Sequence, residues 1–335
     1  MIRSNSGTSG TVGLIVNPRS GSDVRRVIAS AGTSTLEDKI SIVRRLALGA
    51  DRVAPVRWLV MHEPHEIVRR ALQTRPQIAV ERLDLDLEFT EADTTAAAAA
   101  LRHAGADVVV VLGGDGTNRA AAKGWLDIPV LPLSTGTNNA FPYHCEPTVA
   151  GMALSLLASG VVAVDEMSAQ AKVIHIAGDI ANDIALIDAV VVRDRFVGSL
   201  DLFDPDTMHL AVLTRADPAA IGFSSVGGLL EPLGPDDDCG LLVRFEPPAT
   251  AAKLVNAPTA PGHHAEIGYT EVRRLKLGES VEVDGPVLIA VDGERKIRLD
   301  EGEKVTLRVE RDGPWVVNIA QIMHEAAALG VFRSG

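Results

Sequence analysis

Apolar residues in the first half of the chain come in short blocks, and the blocks alternate between strand-like and helix-like spacing. Residues 12–16 form an apolar run that stops at Asn17-Pro18-Arg19-Ser20-Gly21, which is turn chemistry. Ser34 and Glu37 have capping-box spacing, and Leu36, Ile40, Val43 and Ala47 share one face of the helix they would open. Residues 56–61 predict a strand and 66–72 a helix. Residues 78–89 set Leu83, Leu85 and Leu87 against Asp84, Asp86 and Glu88, the alternation of a half-exposed strand. Asp93-Thr94 predicts the cap of an alanine-rich helix that runs to His103 and closes at Gly105. Val108-Val109-Val110-Val111-Leu112 does not alternate, which predicts a strand buried on both faces, as in a parallel sheet. A helix over 119–125, a strand over 128–133 and a polar turn over 134–139 follow.

The texture changes after about residue 160. Residues 172–176 and 185–192 are rich in β formers, with Gly178-Asp179 as a turn between them. Asp284-Gly285, Asp292-Gly293 and Asp312-Gly313 punctuate further β-branched runs. Residues 234–262, rich in Pro, Gly and Asp, predict irregular surface loops. Ile319, Ile322, Met323, Ala326 and Leu329 have helical spacing. The expected architecture is an α/β domain with a parallel sheet over 1–150, a β-rich domain over 151–315, and a C-terminal helix over 316–335 that packs back on the first domain.

Composition narrows the partners. The 335 residues are 46% hydrophobic and 23% charged, enough for two ordinary cores. The net charge of -12 disfavours nucleic acid and an anionic membrane surface. A nest of backbone N–H groups can still bind ATP on an acidic protein. Cys145 and Cys239 are too few for a disulfide framework. The N-terminal residues are polar, and no run is long and apolar enough to span a bilayer, so the expectation is a cytoplasmic protein.

The strongest chemical signal is Gly113-Gly114-Asp115-Gly116-Thr117 at the end of the valine strand. Three glycines let the backbone turn sharply and present N–H groups, and a following helix adds the positive end of its dipole. Asp115 would repel bare phosphate there, so it would serve a metal or a hydroxyl. The plain alternative is a tight strand-to-helix turn capped by Asp115. The turns 17–21 and 134–139 should reach the same sheet edge, where open α/β sheets bind ligands. Arg19 could fork onto a phosphate. His62-Glu63-Pro64-His65, His263-His264 and His144-Cys145 lack the spacing of a metal site, and the histidine pair reads as solvated loop.

The order Asn17-Pro18-Arg19-Ser20-Gly21, Gly113-Gly114-Asp115-Gly116-Thr117 and Gly136-Thr137-Asn138-Asn139-Ala140-Phe141 resembles the superfamily of NAD kinases and diacylglycerol and sphingosine kinases. Residues 131–139 and Asn182-Asp183 with the apolar run after them are most similar to its acetoin-catabolism protein X branch. The resemblance covers most of the chain. It implies a site between the two domains, with ATP and Mg²⁺ bound by the first and the acceptor by the second. Asp115 would be the base or activator for the acceptor hydroxyl. Asn17, Arg19, Ser20, Gly21, Gly113, Gly114, Gly116, Thr117, Thr135, Gly136, Thr137 and Asn138 would bind the nucleotide. Asn182 and Asp183, which by themselves read as a hairpin turn, would contact a dinucleotide. The implied reaction is phosphorylation of the 2′-hydroxyl of NAD to NADP. The alternatives are a kinase for a lipid or small polyol and a non-catalytic nucleotide-binding regulator. Members are commonly homo-oligomers. Ala120 stands where lipid kinases carry Glu, and Asn139 where they carry Asp, whereas Asp292-Gly293-Glu294 resembles their late Asp-Gly-Glu.

Overall fold

In the computed structural model, which describes residues 10–20, 34–135, 139–193 and 203–333, the valine run is the middle of a mostly parallel sheet. Strands β1 (Thr11–Val16), β2 (Arg57–Val60), β3 (Val80–Arg82), β4 (Val108–Gly113) and β5 (Pro129–Ser134) are separated by helices α1 (Leu36–Val53), α2 (Ile67–Leu72), α3 (Glu91–His103) and α4 (Asp115–Gly124). Then come α5 (Pro147–Ala158), β6 (Ser168–Gln170), β7 (Val173–Ala177), β8 (Asn182–Ala185), β9 (Asp188–Val192), β10 (Met208–Leu213) and α6 (Phe223–Leu230). The remainder is β11 (Cys239–Glu246), β12 (Leu254–Ala260), β13 (His263–Lys276), β14 (Ser280–Asp284), β15 (Val287–Val291), β16 (Glu294–Leu299), β17 (Lys304–Glu310), β18 (Trp315–Val317) and α7 (Ile319–Ala328).

The first sheet has the order β3-β2-β1-β4-β5-β18-β6. Pairing is parallel from β3 through β18, and β6 joins antiparallel. Side chains of one strand alternate faces. Val108, Val110 and Leu112 meet the buried faces of α1, α5 and α7, while Val109 and Val111 meet α3 and α4. Both faces are covered, so the strand carries no polar alternation. The rest of the chain forms two antiparallel sheets, β12-β13-β11-β10-β9-β15-β16 and β14-β17-β7-β8, packed on a shared apolar core. The fold is thus an α/β unit with a parallel sheet followed by a β-rich unit. Val173, Leu186 and Ile187 of the β-rich region pack into the core beneath α4, which joins the two.

Several expectations from the sequence are corrected. The capping box lies one residue later, with Thr35 capping the N–H of Asp38 and the Asp38 carboxylate returning the bond. Helix α3 is capped by Thr90, and α4 starts at Asp115, four residues before the predicted start. Only Val80–Arg82 of the 78–89 alternation pairs as strand, because β2 offers a partner only four residues long. Residues 234–262 include two strands instead of irregular loops. Leu241, Leu242, Val243 and Phe245 of β11 are buried, and Pro258 is tolerated because β12 is an edge strand with a register shift there. His263 and His264 are exposed, but they open β13.

Helices α1 and α5 cross where each presents a glycine. A Cβ on Gly151 would stand 2.0 Å from the carbonyl oxygen of Leu46, and one on Gly49 would stand 2.1 Å from that of Thr148. The contact partner is backbone in both cases, so it cannot swing away. Gly151→Ala is therefore expected to destabilise the protein by about 1–3 kcal/mol, read as a lower urea midpoint with an unchanged slope.

Candidate functional site

Strands β1, β4 and β5 run parallel, so their C-terminal ends open on one edge of the sheet, and three turns meet there. Asn17 Nδ2 donates to Thr117 Oγ1 at 2.9 Å, tying the first turn to the glycine turn. Thr135 Oγ1 donates to Ser20 Oγ at 2.9 Å, tying the first turn to the third. Ser20 Oγ in turn donates to the Asn17 carbonyl. The buried Lys39 ammonium on α1 donates to the carbonyls of Pro18 and Ser20 at 2.6 and 2.7 Å and holds the first turn from below. The glycines admit close neighbours: a Cβ on Gly114 would stand 2.9 Å from Asn139 Oδ1. Gly114 is the N-cap of α4 and makes no side-chain cap hydrogen bond, and the positive end of the helix dipole faces the turn.

These turns border a cavity of about 1250 Å³ between the parallel sheet and the β-rich region. Asn17, Arg19, Ser20, Gly114, Asp115, Gly116 and Thr117 line it. Gly113 ends the buried strand, paired with Ser134, and Thr135 lies buried behind the wall. Gly21, Gly136, Thr137 and Asn138 lie outside the described residues. Asn182 and Asp183 are not brought to this cavity. Asn182 is exposed, and Asp183 lies along α4, 3.2 Å from the Arg119 guanidinium and 3.1 Å from the Lys123 ammonium.

Asp115 accepts from the backbone N–H groups of Ala140 at 3.1 Å and Phe141 at 2.8 Å, so its carboxylate is aimed across the mouth of the glycine turn. Two further carboxyls, which the motif reading did not single out as site residues, stand near it. Asp292 sits at the β15–β16 hairpin tip with φ +47, a left-handed conformation that the adjoining Gly293 shares. This turn sends the Asp292 carboxylate inward, where it accepts from the N–H groups of Leu186, Ile187 and Asp188. Burial pushes its pKa up to about 7 against the lowering effect of those amides, and the Asp115 charge adds to the rise. Asp188 is held well above the ordinary carboxylate range by burial first, then by the charges of Asp292 and Asp115. Its Oδ1 is buried without a hydrogen-bond partner. Asp115, Asp188 and Asp292 all line the cavity.

Arg119, one turn beyond Asp115 on α4, has a side chain with 0% exposure. Its guanidinium grips both oxygens of Glu91 at 2.9 and 3.0 Å and both of Asp183 at 3.2 Å, and it lies 3.9 Å from Asp292 and 3.7 Å from Glu294. Arg119 and Glu91 come from the first region, and Asp183, Asp292 and Glu294 from the second. An isolated Arg in a helix carries no sequence signal of this role. The late Asp-Gly-Glu was the one available hint for Asp292 and Glu294.

The family model for the ATP-NAD kinase N-terminal domain matches residues 12–161, and that for the acetoin catabolism protein X C-terminal domain matches residues 172–312. Acetoin catabolism protein X of Cupriavidus necator is 34% identical over 337 residues, covering 96% of this chain and 94% of that protein. Among solved structures, yeast NADH kinase complexed with NADH is similar in fold, with a TM-score of 0.54 and 15% identity over 98% of this chain and 89% of that one. With the glycine turn, the cleft and both regions accounted for, the chain belongs to the acetoin catabolism protein X family.

Proposed function

We propose that this protein is a kinase that transfers the γ-phosphoryl group of ATP, delivered with Mg²⁺ as the substrate complex, to the ribose 2′-hydroxyl of NAD. The observation that carries the reading is the Asp115 carboxylate, fixed by two backbone amides at the N-terminus of α4 inside the cavity. Phosphoryl transfer asks the protein for alignment, charge neutralisation and a positioned acceptor. The amides at the start of α4, with the turn from Asn17 to Ser20, suit the phosphates. Asp115 suits the acceptor: it would take the hydroxyl proton as the new O–P bond forms and the bond to the β-phosphate oxygen breaks, releasing ADP. The cavity is larger than the usual 300–1,000 Å³ of a single small-molecule pocket, which supports a site for two substrates. The match to the ATP-NAD kinase N-terminal domain model over the residues that build this turn also supports it.

A second acceptor class, a lipid or small polyol, is favoured by Asp292-Gly293-Glu294. Glu294 Oε1 would lie 3.2 Å from a Cβ on Gly116, which places this acid against the glycine turn. Incubation with ATP, Mg²⁺ and NAD, followed by direct detection of NADP, decides between the acceptors. NADP formation is expected. ATP consumption only in the presence of a lipid or polyol would replace NAD as acceptor, and bound nucleotide with no turnover on any acceptor would overturn the kinase reading.

Asp115→Asn keeps one acceptor oxygen for the amides but removes the base. It is expected to lower kcat by about 10²- to 10⁴-fold with an unchanged circular dichroism spectrum. Asp188 generates a pH signature. Its folded pKa is raised, so above its ordinary value the folded state holds more protons than the unfolded state, and its contribution to stability falls as pH rises. Asp188→Asn mimics the neutral form. The variant is expected to gain on the parent steadily as urea midpoints are compared from about pH 4.5 to 8, and a constant difference would show that Asp188 does not hold its proton in the fold.

A further inference from the structure

A second cavity, of about 660 Å³, lies on the other side of the Ala140–Phe141 segment from the main cleft. Its walls are mainly apolar, with Phe141, Leu186, Val317, Ile319 and Met323 among them. Two cations reach it, Lys172 and Arg215. Lys172 is already satisfied: its ammonium donates to the carbonyls of Gly234, Asp237 and Cys239 at 3.1, 2.8 and 2.8 Å, using all three of its protons.

Arg215 is different. It follows β10 and donates one hydrogen bond, from Nη1 to the Ala140 carbonyl at 2.6 Å, while its guanidinium lies 5.9 Å from the centre of the Phe141 ring. A guanidinium has five N–H donors, and no ion pair to Arg215 is present among the described residues. Burial lowers its pKa, and Asp115, Asp217 and Asp236 act on it only through space. A charge partly removed from water without a paired anion is costly. Asp236 also lines the cavity, but it acts on Arg215 only through space, so no paired anion among the described residues offsets that cost.

We propose that this second cavity is a binding site for a small organic carboxylate with an apolar body, whose carboxylate pairs with Arg215 and whose body fills the space beside Phe141 and Met323. The volume falls in the range of small-molecule sites. The guanidinium supplies the fork geometry that a carboxylate accepts in bidentate form. The site is wired to the main cleft through one short segment, because Arg215 holds the Ala140 carbonyl while Asp115 accepts from the N–H groups of Ala140 and Phe141. An anion that fixes Arg215 therefore acts on the peptides that aim Asp115. This makes the cavity a regulatory site, independent of which hydroxyl the cleft phosphorylates.

The test is a thermal-shift titration of the full chain with octanoate, with octanol as the neutral control of equal length. Octanoate is expected to raise the Tm in a saturable way and octanol to do so at least tenfold more weakly. Two variants remove the site differently. Arg215→Gln keeps a donor for the Ala140 carbonyl but loses the charge, and Ala320→Trp fills the cavity from an exposed position on α7. Both are expected to abolish the octanoate shift while showing native circular dichroism. Saturating ATP is expected to leave the octanoate shift in place. The proposal is overturned by equal shifts from octanoate and octanol, by an undiminished shift in both variants, by competition with ATP, or by no shift at all. None of these readouts involves turnover, so its failure is separate from failure of the kinase reading.

Discussion

The buried Arg119 guanidinium is the contact on which the two halves of the molecule depend. A side chain with no exposure could not keep its charge without compensation. Glu91 and Asp183 each offer two oxygens within hydrogen-bond distance, and Asp292 and Glu294 add negative potential just beyond it. Such a cluster adds little net stability over an apolar core, but removing one partner leaves an uncompensated charge. Its consequence is geometric. Arg119 sits four residues after Asp115 on the same helix, and its acidic partners come from both regions. The helix that presents the glycine turn is therefore held in register with the hairpin tip at Asp292.

That register explains the concentration of carboxyls in the cleft. Asp115 is supplied by the parallel sheet, while Asp188 and Asp292 are supplied by antiparallel strands. Burial raises the pKa of Asp188 and Asp292, and the Asp115 charge raises both further. The three groups are distinguished by their donors. Asp115 and Asp292 accept two or more backbone N–H groups, whereas Asp188 accepts from Gly293 and leaves its buried Oδ1 without a partner. Environments that treat neighbouring carboxyls differently are the arrangement from which acid and base roles separate.

Much of the first region was legible along the chain. The valine run, the glycine turn and the alternation of strand and helix all follow from local spacing, and each of these was placed within a few residues. The two misplaced helix caps share one cause. Thr35 displaced Ser34 as cap, and Thr90 displaced Asp93, because several side chains in each stretch could cap and only the packed helix face selects one. The 234–262 stretch looked irregular because its Pro and Gly residues mask strands that neighbours complete, notably β12 on the sheet edge beside β13.

By itself the sequence determined the α/β order of the first region, the β-rich character of the second, and the position of Asp115 after a buried strand, since these rest on residue periodicity and on glycine at a turn. Only the tertiary structure decided which acids join Asp115, that Asp183 turns to Arg119 instead of the cleft, and that Arg215 grips the same segment as Asp115. The physical reason is distance along the chain. Asp292 lies 106 residues from the Leu186 amide that holds it, and Arg215 lies 75 from the Ala140 carbonyl. No local pattern encodes such pairings; they appear only when the strands close into sheets.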